Sequence, residues 1–482
     1  MSEGSEREQP ATEGPTSGQR LRRNLAVYGL SDALLQALSF ALMPLVARKL
    51  GAEPLGVWST SLGLLSVLTT VAGLGLASSL GRVWLDRPAL ERSGLVAASQ
   101  RRLGQAAVAV VGVAALIAAA FAAAGRLAPW ETTTVALLLA TALALQFQVL
   151  PRAIWSTEER AGRVVRLNLL TNGLFVVAAF AGIVGGGAGL TWLFGARFLA
   201  SVAAALSTLS FYRQHRGAPN QAAGDEAIRL GLPSVPHQLA HWALSIADRF
   251  VIGAMLGFAA VGQYAVAYLC VDVFALGLHA MNKAIAPQVA RWHSDPTRRD
   301  YLTALTSGYL RTAFGALLLS MVAAPHLVVL TFGDSFAPAA RLVPVLLLAA
   351  GPWALYFPEV GALFYQRRVT GLPAATVTSA LLSVAAVWLL IPIMGLLGAA
   401  LGTLIGYTLL WHFTRAIAVK AERVTADRNS NLIAAGSWLL CAAVTPWMAL
   451  NGPLPVAACL VLAPIGGWVC WSGLRILVAR RG

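Results

Sequence analysis

The sequence is short of charge and almost without cysteine. Only 12% of its 482 residues are Asp, Glu, Lys or Arg and 57% are hydrophobic, where a soluble domain carries roughly 25% charge. A water-soluble fold is excluded, and the mean hydropathy of +0.68 points to a bilayer. Cys270, Cys441, Cys459 and Cys470 all fall in apolar stretches with no CxxC pair and no neighbouring ligand set. They read as small buried hydrophobes, so no disulfide, metal or other cofactor is expected. A Gly-rich phosphate loop and a nucleophile with its base are also missing, which argues against an enzyme. The first twenty residues are polar and lack an apolar core with a cleavage site, so they are expected to be a disordered cytoplasmic tail rather than a secretory signal.

What is present is long and apolar. Runs of about 20 residues, enough to cross ~30 Å of hydrocarbon, recur from Asn24 to Trp471. About fourteen can be marked, from 24–46 and 57–80 through 232–256 and 261–286 to 431–449 and 453–476. The net charge of +15 is distributed by side. With the N-terminus in the cytoplasm, 29 of the 36 Lys and Arg fall in inside segments and three inside helices. Only Arg48, Lys49, Arg126 and Arg341 fall outside. This is the positive-inside pattern, so the basic balance reports topology rather than nucleic acid, with both termini cytoplasmic.

A motif occurs twice. "LGAEPLGVW" begins at residue 50 and "LGFAAVGQY" at 256, a separation of 206 residues. "GGAGLTWLFG" (186–195) and "GLLGAALGTLIG" (395–406) form a second echo at 209. Six spans separate the copies, so the halves share one orientation, the plan of parallel-repeat transporters. The expected organisation is a 1–20 tail, a first lobe of helices 1–6 over 21–216, a second lobe of helices 7–12 over 217–420, and two peripheral helices over 421–482. The chain is thus expected to be an all-α polytopic membrane protein. Each nonapeptide is expected to be an outer hairpin turn, with Trp58 and Tyr264 at the membrane interface.

These strings resemble a family. The segments 44–82 ("PLVARKLGAEPLGVWSTSLGLLSVLTTVAGLGLASSLGR"), 232–268, 332–357 and 390–407 are similar in order and spacing to bacterial Wzx-type oligosaccharide-lipid flippases. These belong to the multidrug/oligosaccharidyl-lipid/polysaccharide exporter superfamily. The resemblance implies alternating access between two six-helix lobes in the cytoplasmic membrane. It also implies translocation of an undecaprenyl-pyrophosphate-linked glycan to the outer leaflet, for O-antigen, capsule or exopolysaccharide. A proton or sodium gradient would drive it, and the expected partners are the lipid-linked glycan, membrane lipids, a polysaccharide polymerase and a chain-length regulator.

Ionised residues inside spans are costly and usually face a cavity or a partner. On helix seven His237, His241, Ser245 and Asp248 share a face, followed by Arg249; on helix eight Asp272, His279 and Lys283 do so. Helix one places Asp32 on a polar stripe with Asn24, Tyr28, Gln36 and Ser39. Arg249, Arg311, Arg197 and Lys283 are expected to give a cavity positive potential for pyrophosphate, because guanidinium stays charged and binds phosphate through paired hydrogen bonds. The alternative is private pairing between helices. Asp248, Asp32, Asp272, Glu359 and His241 are the candidates for ion coupling. Pro233 and Pro236 are read as a gate hinge or simply a helix start.

Other readings stay open. A multidrug or cation antiporter of the same superfamily would share the fold and use carboxylates such as Asp32. A peptidoglycan-precursor flippase is closer still. A membrane glycosyltransferase or polymerase handling the same lipid would need larger external loops.

Overall fold

The computed structural model describes residues 34–35, 37–125, 129–186, 189–292, 295–366, 369–418 and 425–479. The described chain is helical, with no strand among its described residues. Helix α1 (37–50) is followed by α2 (Ala52–Ala72), α3 (Leu76–Leu85), α4 (Ala89–Ala123), α5 (Pro129–Gln146) and α6 (Val149–Thr157). Then come α7 (Ala161–Asn168), a π-helical turn (Leu169–Gly173), α8 (Leu174–Gly186), α9 (Leu190–Ser207), α10 (Leu209–Gln214) and α11 (Gln221–Gly231). The second half holds α12 (Ser234–Leu256), α13 (Phe258–Trp292), α14 (Arg299–Phe332), α15 (Ala337–Tyr365), α16 (Leu372–Met394) and α17 (Leu396–Ala418). Helices α18 (Arg428–Asn451) and α19 (Val456–Ala479) close the chain. Thirteen helical stretches among the described residues are long and apolar enough to cross a membrane. The first expected span, 24–46, lies partly outside the described residues.

The repeat is visible in the backbone. Helices α2 and α13 start 206 residues apart, as do α9 and α17. Gly51 and Gly257, the residues before α2 and α13, take nearly the same left-handed conformation, φ 89° and ψ −177° against φ 84° and ψ 170°. Only glycine enters that region without strain. A methyl group at Gly56 would overlap the carbonyl of Phe258, and one at Gly262 would overlap the carbonyl of Ala52. Both partners are again 206 residues apart, so α2 and α13 exchange identical contacts across a pseudo-twofold axis and seal this end of the seam backbone to backbone.

The aromatic partners of the motif depart from expectation. Trp58 and Tyr264 are 2% and 0% exposed, not interfacial. Because the Gly56 and Gly262 face turns to the seam, the ring two residues on is carried into the helix packing. Trp58 stacks on Phe175 at 5.4 Å and meets Phe194 edge-on at 5.1 Å.

At the opposite, arginine-rich end the seam is closed differently. Gly75 and Gly231 pack reciprocally, each against the other's carbonyl. Ser79 donates to the Ala227 carbonyl at 2.6 Å, the Ser78 and Ser234 hydroxyls are 3.0 Å apart, and Arg87–Glu226 and Arg102–Asp225 pair at 2.5 and 2.9 Å. Helix α11 therefore lies on α3 and α4, its Ala223 and Ala227 joining the core of Leu76, Leu80, Leu95 and Leu103. Pro233 stands where α11 meets α12.

Helices α18 and α19 flank the second lobe. Gly308 and Gly315 of α14 face Gly473 and Gly466 of α19; a methyl group on Gly315 would strike the backbone of Cys470 and Gly466, and one on Gly473 that of Thr312 and Gly308, the small-residue packing that holds helices together in lipid. Their outer faces are apolar and open, with Trp468 and Trp471 each 62% exposed.

Candidate transport site

Among the described residues two polar clusters lie within the apolar spans, one in each lobe. In the second lobe Asp248, 4% exposed, is held on both oxygens. Its Oδ1 accepts from the Arg249 backbone N–H at 2.8 Å, and its Oδ2 accepts from the hydroxyls of Tyr264 at 2.6 Å and Thr403 at 3.2 Å. A hydrogen bond to a charged partner contributes about 1.5–3 kcal/mol net, so three of them make burial of this group tolerable. Below it the Tyr268 and Tyr407 hydroxyls meet at 3.3 Å, and the Arg249 guanidinium lies over the Tyr268 ring at 5.1 Å. The Arg249 Nε is buried without a hydrogen-bond partner among the described residues. Arg249 shares a face of α12 with Trp242 and Ile246, which touch Gly63 of α2, so it stands at the seam between lobes.

Around this core the other expected groups gather loosely. Asp272 is half-buried and interacts electrostatically with Arg249 and Asp248. His241 is exposed and interacts with His237 and His279. His279 packs edge-on against Trp353 and Phe357 at 5.6 and 5.3 Å and feels the charge of the exposed Lys283. Glu359 is half-buried in α15. Asp32 lies outside the described residues.

Two of the expected cations stand elsewhere. Arg311 points from α14 to the start of α18, where its Nε donates to Ser430 at 2.7 Å and its Nη2 is 3.8 Å from Asp427. Arg197 belongs to the first-lobe cluster. Its Nη1 donates to the Thr171 carbonyl at 3.2 Å and to Asn172 Oδ1 at 2.9 Å, and its guanidinium lies over Phe175 at 5.5 Å. The four cations are thus not gathered at one point; Arg249 and Lys283 attend the second lobe, Arg197 the first and Arg311 the flanking helices.

The first-lobe cluster surrounds a cavity of about 630 Å³ whose lining includes Ser78, Gln148, Arg152, Thr171, Asn172 and Arg197. It sits where helices break. The second span is interrupted at 73–75, where Leu74 and Gly75 both have positive φ; the fourth breaks at 147–148, the fifth winds through its π turn, and the sixth breaks at Thr208. Irregular backbone at membrane depth is tolerated where it lines a cavity or is buried in protein, and π turns concentrate at functional positions. Thr171, inside the π turn, donates to Gln148 Oε1 at 2.8 Å while its carbonyl receives Arg197.

Sequence reasoning missed Tyr264, Thr403, Tyr268 and Tyr407 as the frame of Asp248, and Arg152 and Gln148 as cavity walls. The repeat carried a signal for two of them. Tyr264 is the counterpart of Trp58, and Thr403 is the eighth residue of α17 as Arg197 is of α9.

Residues 21–293 match the family model described as polysaccharide biosynthesis protein. No curated protein matches the chain significantly in sequence. Among solved structures, a lipid II flippase MurJ in an inward closed conformation superimposes with a TM-score of 0.68 at 13% identity, over 94% of this chain and 98% of that one. An inward-facing multidrug resistance MATE family transporter of the MOP superfamily gives 0.54 at 16% identity, over 86% and 96%. The fold is the one these solved transporters share, with thirteen helical stretches among the described residues long and apolar enough to cross a membrane. The chain belongs to the polysaccharide biosynthesis protein family.

Proposed function

We propose that this protein moves an undecaprenyl-pyrophosphate-linked oligosaccharide from the inner to the outer leaflet of a bacterial cytoplasmic membrane by rocking its two lobes about the seam. The observation that carries the reading is the reciprocal glycine contact of Gly56 and Gly262. It closes one end without interlocking side chains, so the lobes can part there as rigid bodies. Membership of the polysaccharide biosynthesis family supports a lipid-linked glycan as substrate, and cations within the spans, Arg249 beside the seam and Arg197 in the first lobe, suit a diphosphate. Asp248, the best enclosed carboxylate, is the leading candidate for coupling to a proton or sodium gradient, ahead of Asp272, Glu359, His241 and Asp32. The arginine-rich end is read as cytoplasmic, with both termini on that side. A polysaccharide polymerase and chain-length regulator would receive the product.

The enclosed Asp248 also favours a second reading, antiport of an organic cation. One experiment separates them. The protein is reconstituted in vesicles with a fluorescent undecaprenyl-diphosphate oligosaccharide, and the outward-facing pool is bleached with an impermeant reductant. A bleachable fraction that grows with protein content supports the flippase. An unchanged fraction, together with proton efflux on adding a cationic drug, assigns the chain to antiport.

A further inference from the structure

Prolines interrupt α15 near its end, and two of the interruptions are treated differently. A proline inside a helix removes the hydrogen bond to the carbonyl four residues back, so Pro352 frees Leu348 and Pro358 frees Ala354. Neither carbonyl is left orphaned. Trp438 of α18 donates its Nε1–H to the Leu348 carbonyl at 3.2 Å, and Tyr309 of α14 donates its hydroxyl to the Ala354 carbonyl at 2.9 Å. At Pro352 the Trp438 indole also fills the space beside Gly351, where a methyl group would overlap it. That interruption is locked by packing.

The one at Pro358 is not. Beside it lies a cavity of about 50 Å³, lined in part by Ile285 and Val289 of α13, Thr306 and Tyr309 of α14, and Gly361 and Ala362 of α15. A water needs ~10–15 Å³, and close-packed interiors keep few voids larger than that, because the lining of a void forfeits contacts. Gly361 has no packing reason to be glycine: a methyl group there would meet only the Tyr365 ring, at an ordinary 3.7 Å. Glycine inside a helix is less favourable than alanine and deforms more freely, so the two turns after Pro358 are loosened twice. Their far end is tied to α13, where the Tyr365 hydroxyl donates to the Ala286 carbonyl at 2.6 Å. Before Pro358 the helix is anchored, with Trp353 stacked on Tyr407 at 5.1 Å and Phe357 edge-on to His279 at 5.3 Å.

We propose that Pro358–Tyr365 is a hinged flap at the arginine-rich end of the second lobe, with two positions. In one, Tyr365 latches it to α13; in the other the latch is open and the flap is folded into the cavity. Losing one hydrogen bond and filling a void of this size oppose each other with similar strength, so the two positions are close in free energy. The swing carries Glu359, a residue of the flap. Use of the motion to open the second lobe's inner end rests on the transport reading; the motion itself does not.

The test uses the full chain, cysteine-free and purified in detergent, with spin labels at Phe364→Cys on the flap and Val478→Cys on α19, both exposed positions. Double electron–electron resonance reads the distance between them. A main distance and a minor shorter one are expected, because folding in brings the flap toward α14, on which α19 packs. Tyr365→Phe should raise the shorter population at least fivefold, and Val289→Leu, which takes up part of the cavity, should lower it. Pro358→Ala, which restores the backbone ladder, should leave one narrow distance; should it fail to fold, Tyr365→Phe decides alone. Trp438→Phe, at the locked interruption, should leave the distribution as it was. A single distance that neither Tyr365→Phe nor Val289→Leu shifts overturns the flap. A response to Trp438→Phe equal to that of Tyr365→Phe overturns it as a separate body, since α15 would then bend as a whole. A flap that moves as described in protein that flips no lipid-linked saccharide would defeat the transport reading alone. Full-rate flipping by Pro358→Ala with the flap fixed would overturn the flap's role in the cycle and leave transport standing.

Discussion

At the eighth position of the counterpart helices α9 and α17 the repeat has diverged: α9 carries Arg197, α17 carries Thr403. The divergence extends outward from there. Around Arg197 four spans are interrupted, at 73–75, 147–148, 169–173 and 208, and the space between them is a polar cavity. Around Thr403 the helices α12, α13, α16 and α17 are continuous, and the polar groups are folded inward on Asp248. One lobe keeps its cation beside space, the other keeps its carboxylate wrapped in hydroxyls. Since both descend from the same helix plan, the difference fits the proposed division of labour, in which the first lobe holds a large anion and the second a small charge. An ion that binds or leaves Asp248 needs only a hydroxyl to move, whereas a diphosphate needs volume.

The comparison assumes that both lobes meet as equivalents at their glycines, and this is where it can be broken most forcefully. Gly262→Leu places a side chain on the Ala52 carbonyl. Overpacking costs about 3 kcal/mol at such a backbone contact, roughly a hundredfold in the population of the closed seam. An impermeant maleimide should then label Ala52→Cys, in a cysteine-free background, far faster than in the parent. Gly56→Leu should do the same through Phe258. An effect from one glycine and none from its counterpart would end the symmetry argument.

The next effect belongs to the second lobe alone. Asp248→Ala leaves the Tyr264 and Thr403 hydroxyls without their acceptor, at a cost of about 3 kcal/mol, visible as a lowered melting temperature. Asp248→Asn preserves the shape and removes the charge. With Asp248 as the coupling group, vesicles carrying Asp248→Asn should flip lipid at a rate indifferent to an imposed ion gradient, while Arg197→Gln should slow flipping at every gradient. If Asp248→Asn responds to the gradient as the wild type does, coupling lies with another residue and the proposed division of labour fails.

How much of this was legible depends on whether the signal was periodic or conformational. The duplication was readable because glycine is constrained by backbone approach; the pairs Gly56/Gly262 and Gly51/Gly257 have to recur wherever the contact recurs. Asp248 and Arg249 stood out because charge in an apolar run is costly. Trp58 and Tyr264 were misplaced because an aromatic ring at a span end reads as interfacial, and only the direction of the seam turns them inward. Arg311 stood out for the same reason as Arg249, but sequence carries no sign of whether a cation faces a cavity or a neighbour. Its partners Asp427 and Ser430 lie more than a hundred residues away. The breaks in the fourth, fifth and sixth spans left no trace in hydropathy, which averages over a single residue's turn. Arg152, adjacent to Pro151, read as an inside-loop charge because the break at 147–148 that carries it to the cavity was invisible.

Arg311 offers a smaller effect that sharpens the boundary of the comparison. Burial alone would raise the Asp427 carboxyl, but hydrogen bonds involving Ser307 and Ser430 and the charge of Arg311 outweigh it and hold it down to about 2. A carboxyl lowered in this way stabilises the start of α18 above the ordinary carboxylate range near 3.8, and that support is lost as pH falls through about 2. Arg311→Gln should cost about 1 kcal/mol and change flipping by less than about twofold. A much larger loss of transport would return Arg311 to the transport machinery and extend the second lobe's polar site to the flanking helices.

The smallest effect lies at the arginine-rich end, where α11 bridges the lobes. Arg87 pairs with Glu226 and Arg102 with Asp225, all partly exposed, and such pairs contribute little to stability. Their value is positional, because α11 follows the first lobe's packing yet leads directly into α12, which carries Asp248. Glu226→Gln combined with Asp225→Asn should leave the melting temperature nearly unchanged, since Gly75, Gly231 and Ser79 still hold the helix. What should change is the salt dependence of flipping. In the wild type, salt screens the two pairs and eases the parting of α11 from α3, so the rate should rise modestly with ionic strength. The double variant should begin near that raised rate and respond less to salt. An unaltered salt dependence would mean that α11 stays docked throughout the cycle and moves with the first lobe, and the hinge would then have to lie at Leu232 and Pro233.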